Sequence, residues 1–235
     1  MSSFKRTSRA LRASKIALFV LWAAFAALAY NIYSELQELS LIGHLEELEE
    51  TLPPGDDYDD ETYARIEANE DRQTYAMIGH LTALSLSMVF LLLWVSRTNR
   101  ACRELGATEL RFTPGWAWGY WLIPILNLFR PFQIITELWE TTDPDGKSNS
   151  LLGWWWAAWI VSGFASRFVG NVGPDATLAE YRHADHMLLG SHGLDIIGLA
   201  LTIVVVSKLT AKLRAFHDRV ALATVRVVSE EAGEG

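Results

Sequence analysis

TPGWAWGYWLIPILNLFRPFQIITELWE, residues 113–140, is the stretch on which the fold turns. Its first part, 113–129, is uncharged but sits at the lower edge of the roughly 17–25 residues that a membrane helix needs. Pro124 falls in its second half. Proline removes a backbone donor and kinks a helix, and in lipid the freed carbonyl needs a partner or the shelter of protein. A segment that lies in the membrane interface, or dips in and returns, meets that demand more easily than one that crosses. Trp116, Trp118 and Trp121, with Trp139 further on, suit the headgroup zone. Pro131 suits the first turn of a new helix, whose apolar side is Ile134, Ile135, Leu138 and Trp139.

Working outward, four blocks are nearly free of charge: 16–34, 74–96, 149–167 and 193–213. Each is near the about 20 residues that cross a hydrocarbon core of roughly 30 Å. The fold expected is therefore all-α and polytopic, with four transmembrane helices and the broken aromatic segment 113–140 between the second and third. The membrane domain covers 16–215, flanked by a basic N-terminus (1–15) and a C-terminal tail (216–235) that reads as disordered at SEEAGEG. A cleaved signal peptide is the competing reading of the first block, but the run is long and continues into a helix-compatible segment. Ala23 and Ala27 place small side chains on one face of that helix.

The net charge of −8 is a sum over compartments. Acidic residues crowd into the first loop, 35–73, where Leu41, Leu45 and Leu48 recur at helical spacing and Pro53, Pro54 and Gly55 end the helix. The DDYDDE run of that loop lacks the ligand spacing and central glycine of a calcium loop, so it reads as a solvated acidic face. Asp143, Pro144, Asp145, Gly146 and Lys147 read as a short turn, and Arg167 and Asn171 mark the exit of the third block. The last block has two registers: starting at 193 it leaves Asp195 near one end, and starting near Met187 it buries Asp195 with His192 on the same face.

Basic residues alternate across the blocks. Lys5, Arg6, Arg9, Arg12 and Lys15 precede the first, Arg97, Arg100 and Arg103 follow the second, and Lys208, Lys212, Arg214 and Arg219 close the last. The positive-inside rule then places both termini and the 97–150 segment in the cytoplasm and the acidic loop outside. A fifth span at 113–129 would expel the basic C-terminal flank, so four is the better count.

Chemistry is sparse. Asn127, Arg130, Gln133 and Glu137 follow one another at three- and four-residue steps across Pro131, and form either a small polar cluster for a ligand, lipid headgroup or ion, or a salt-bridged turn. His80 sits inside the second block, read as a neutral histidine bonded to a neighbouring helix, or else a relay. His183, His186 and His192 are weak metal candidates, with no metal expected. The single cysteine, Cys102, excludes an internal disulfide. No HExxH, GxGxxG, Walker loop or GxSxG is present, so no enzyme, no cofactor and no nucleic-acid partner is expected.

The run from Phe112 to Trp139 closely resembles the signature of an uncharacterised bacterial membrane family, domain of unknown function 4328. Phe112, Pro114, Gly115, Trp116, Gly119, Pro124, Asn127, Leu128, Phe129, Arg130, Pro131, Glu137 and Leu138 carry the match. The resemblance is strong over 97–140 and extends by span order over 15–215. It implies several membrane helices in a bacterial inner membrane and brings no activity. Two roles remain: a non-enzymatic component that binds or organises lipid, a membrane protein partner or copies of itself, and an oligomeric transporter or channel-like protein using the broken segment.

Overall fold

The computed structural model describes residues 2–53, 55–143, 150–168, 173 and 175–233, and no strand occurs among them. The helices are α1 (Ser2–Thr51), α2 (Asp60–Glu104), α3 (Trp116–Gly119), α4 (Arg130–Thr142), α5 (Ser150–Ala165) and α6 (Leu178–Gly233). Two 3-10 turns, Tyr120–Leu122 and Leu126–Leu128, lie between α3 and α4. The turn expected after Asp143 and the exit residue Asn171 lie outside the described residues.

α1, α2 and α6 each hold a stretch long and apolar enough to cross a membrane, so the chain is an all-α, multi-pass membrane protein. Its surface agrees. Phe19 is 75% exposed and Trp22 58%, and Met77, Ile78, Leu81 and Val89 are exposed as well. Apolar area of this extent is unfavourable in water and natural against lipid. The fourth expected block corresponds to α5, whose 16 described residues span about 24 Å at 1.5 Å per residue. Length thus supports three crossings, and the fourth rests on charge.

The long helices outrun the blocks that predicted them. In the acidic segment 35–73, the helix expected up to Pro53 is the continuation of α1, which runs to Thr51, and α2 already begins at Asp60, leaving only 52–59 as connection. Leucine and glutamate are strong helix formers, and the chain turns only where Pro53 and Gly55, at φ 96°, break the pattern. Residues 2–15 are helical too. The tail expected to be disordered extends α6 to Gly233, because the alanines, valines and arginines before it supply no breaker.

Burial on these helices follows one rule. On α1 the buried positions include Ala10, Ser14, Ala17, Leu21, Ala24, Leu28, Asn31 and Glu35, at alternating steps of three and four. On α6 they include Asp185, His192, Leu199, Val206 and Leu213, each seven apart. On α2, His80, Ser87, Trp94 and Ala101 repeat the same step. A period near 3.5 is the seam of a left-handed coiled-coil packing. It puts Ala24, not Ala23 or Ala27, on the packing face of α1.

The chain divides into two units. Unit 1 contains 1–21, 86–156 and 201–235, with Trp94, Ile134, Leu138, Trp155, Val206 and Leu209 in its core. Here Gly106, at φ 99°, reverses the chain after α2, a conformation that glycine adopts without a Cβ penalty. The returning strand of chain is pinned along α2 by side chains. Arg103 Nη2 donates to Leu110 O (2.7 Å), Asn99 Nδ2 to Phe112 O (2.9 Å) and Ser96 Oγ to Pro114 O (2.8 Å). The broken segment follows, interrupted at Ile123, which is extended (φ −98°, ψ 111°), and restarted with Pro131 in the first turn of α4. Trp155 Nε1 donates to Thr202 Oγ1 at 3.0 Å, and Lys212 pairs with Asp143. Unit 2 contains 22–85 and 157–200.

Candidate functional site

Unit 2 differs from unit 1 in what occupies its seam. Where the periodicity calls for apolar side chains, α1 supplies Asn31 and Glu35, α2 supplies Asn69 and His80, and α6 supplies Asp185 and His192, all buried. Burying polar groups is costly unless they are paired, so their hydrogen bonds define what the site can do.

The first group is centred on two histidines. Asn31 Nδ2 donates to His192 Nε2 at 3.2 Å, and the His80 and His192 rings lie 5.7 Å apart between centroids. With Nε2 accepting, the neutral His192 ring carries its proton on Nδ1. That Nδ1 is buried without a partner, as is Nδ1 of His80. One turn along α6, Asp195 accepts a hydrogen bond from Ser162 of α5. His192 and Asp195 are three apart and so share a helix face.

The second group is acidic. Glu35, Glu38 and Asp185 each offer an oxygen, and these lie within 4.8 Å of one another. Glu35 is 4% exposed and Asp185 7%, and Glu35 Oε2 and Asp185 Oδ2 have no hydrogen-bond partner. Glu38 accepts from Gln73 Nε2, and Gln73 is tied in turn to Ser34. The nearby Arg72 donates to Ser34 and Asn69. Three carboxylates this close cannot all be charged without a proton or cation among them. Among the described residues they form a group whose oxygens could hold a cation.

The residues singled out from the sequence fare differently. Arg130 Nη1 donates to Gln133 Oε1 at 2.9 Å, and its guanidinium lies within 5.7 Å of the Phe112, Tyr120 and Phe129 ring centres. Glu137 turns away from both: it accepts from the backbone N–H of Arg111 (2.7 Å) and of Phe112 (3.4 Å) and pairs with Arg111. No hydrogen bond joins the Asn127 side chain to these three. The expected cluster is thus an Arg130–Gln133 pair and a separate carboxylate fastening residues 111 and 112. Among the interfacial aromatics, Trp116 is 53% exposed, whereas Trp121 and Trp139 are buried at 4% and 3%, their faces taken by protein. The Trp118 side chain lies outside the described residues. The three histidines do not converge: His183 and His186 are exposed, His186 Nδ1 meets Arg182 O at 2.7 Å, and His192 joins His80.

The family model described as domain of unknown function (DUF4328) matches residues 58–211. It begins inside the acidic segment and leaves α1 outside, a shorter reach than the 15–215 expected from span order. No curated protein and no solved structure matches the chain.

Proposed function

We propose, from the premise that the chain belongs to the DUF4328 family, that it is a non-enzymatic inner-membrane protein that takes up protons or a small cation at the seam of unit 2. The observation that carries this reading is the pair of buried, unpartnered Nδ1 atoms on His80 and His192. An unsatisfied buried polar atom costs about 1–3 kcal/mol, and ionisable groups within membrane helices mark proton or ion pathways. Asp195 and the Glu35–Glu38–Asp185 group add carboxylates along the same helices. This is the transporter or channel-like reading, moved from the broken segment to the seam. Arg130 and Glu137 have partners of their own, which weakens the case for them as path-lining groups.

The test is flux. Purified protein in liposomes with a trapped pH dye should acidify or alkalinise the lumen under an imposed potential, and H80Q/H192Q should slow this at least tenfold. Glutamine keeps hydrogen-bonding capacity but cannot titrate. Equal flux in empty liposomes would sink the reading, and loss of flux in R130Q alone would return the path to the broken segment.

A second reading is favoured by the exposed apolar surface: an oligomer, or a partner- or lipid-organising component, acting through the 97–150 segment. Intact assembly with a co-purified membrane protein and no flux supports it. Both readings share one topology, with four spans, the 52–59 connection outside and both termini cytoplasmic.

A further inference from the structure

A cavity of about 760 Å³ opens in unit 1, lined by Arg9, Arg97, Arg100, Arg103, Glu104 and Pro114. Four arginines thus line one space with a single glutamate among them. Arg103 is held in the wall by Asn99 Oδ1 (3.2 Å) and the carbonyls of Leu110 and Phe112, all neutral acceptors. No carboxylate pairs with Arg9, Arg97 or Arg100 among the described residues.

Like charges gathered in one concavity repel unless an anion enters. Arginine is the side chain whose planar fork matches phosphate oxygens in a bidentate way, and the volume lies within the roughly 300–1,000 Å³ of ordinary ligand sites. The level in the membrane agrees. Arg97 directly follows the uncharged 74–96 block, and Arg9 stands about 10 Å before residue 16 along the helix. Both therefore sit just beyond the hydrocarbon core, where lipid phosphates lie.

We infer that this arginine-lined cavity of unit 1 is a binding site for a phosphate-bearing anion. Arg9, Arg97 and Arg100 are exposed, as charge at a membrane end requires; what the fold adds is the chain after Gly106, folded back and pinned by Asn99, Arg103 and Ser96 so that Pro114 lines the same space.

The experiment uses the delipidated full chain in neutral detergent, with two probes. Inorganic pyrophosphate is titrated calorimetrically, and retention of phosphatidylglycerol over phosphatidylcholine is read by native mass spectrometry. R97Q/R100Q should lower affinity for the binding probe at least tenfold, and R9Q about threefold. R182Q, which removes the partner of Glu46 in unit 2, should bind as the parent does. Pyrophosphate binding without lipid retention identifies a soluble phosphate ligand, and the reverse identifies a headgroup. Binding of neither probe overturns the inference, as does equal binding by R97Q/R100Q. Should that variant fail to fold, R9Q decides: parent-level affinity in folded R9Q counts against the site.

Discussion

At the residue scale, two positions can be judged alone. Gly106 adopts φ 99°, with nothing near its missing side chain. Gly106→Ala therefore meets no clash, only the left-handed backbone penalty of about 1–2 kcal/mol, which a fall in the thermal midpoint in detergent should reveal. Asn31 is the only described hydrogen-bond partner of His192 Nε2. Asn31→Leu should cost about 1–3 kcal/mol by orphaning that nitrogen, and Asn31→Gln in the parent's His192 environment should recover part of it. The sequence can place His192 and Asp195 on one face of the last block and His80 inside the second, but not the meeting of His80 with His192. Neighbouring residues on a helix differ by about 100° in direction, so whether His80 faces His192 depends on the rotation of both helices. The Arg130–Gln133 pair was legible because both residues stand on one short stretch. Glu137 was not, since its partners belong to residues 111 and 112, fixed by the Gly106 reversal.

At the element scale, the seam separates side chains that look alike in sequence. Leu28 is 2% exposed and Phe19 75%, yet both sit within one uncharged block. Leu28→Ala should cost about 2–5 kcal/mol through the cavity it leaves, and Phe19→Ala less than about 0.5 kcal/mol, read as shifts in denaturant midpoint in mixed micelles. Equal effects would remove the seam assignment. The start of α2 allows a pH prediction. Asp59 Oδ1 accepts the backbone N–H of Thr62 at 2.9 Å, and hydrogen bonds from the Thr62 side chain and backbone hold its carboxyl below the ordinary range. A depressed carboxyl stabilises the fold above its unfolded value, near 3.9, and that stability fades as pH falls through the lower folded value. Protection of the first-turn amides of α2, measured against intrinsic exchange, should therefore fall as pH drops below about 4, and Asp59→Ala should already show the lower protection at neutral pH. The helices themselves were legible from block length and from Pro53 and Gly55. The run of α1 up to Pro53 was legible from the spacing of Leu41, Leu45 and Leu48, but the extension of α2 back to Asp60 and of α6 to Gly233 was not, because a hydropathy block reports what lipid accepts rather than where a helix ends.

At the scale of the whole molecule, the open quantity is the number of crossings. α5 is short for a span, but tilt, snorkelling and local thinning accommodate several ångströms of mismatch at modest cost. The proposed count of four rests on charge. If α5 did not cross, α6 would carry Lys208, Lys212, Arg214 and Arg219 to the outside, against the positive-inside rule. Single cysteines at four exposed positions separate the cases: Asp57, Arg111, Asp175 and Thr224, in a chain whose own Cys102 is buried and is replaced by serine as the unlabelled background. Four spans predict labelling of intact cells at Asp57→Cys and Asp175→Cys, with Arg111→Cys and Thr224→Cys reached only after permeabilisation. Three spans exchange the last two positions, so that Thr224→Cys labels in intact cells and Asp175→Cys does not. The side from which Arg9 and Arg97 would meet an anion depends on the orientation of the chain and not on the count. In both counts the proposed orientation joins α1 and α2 through an outer connection, which would turn the cavity to the cytoplasmic side. Labelling of Arg111→Cys in intact cells would invert the whole arrangement, leaving the cavity's chemistry intact and moving its ligand to the other face of the membrane.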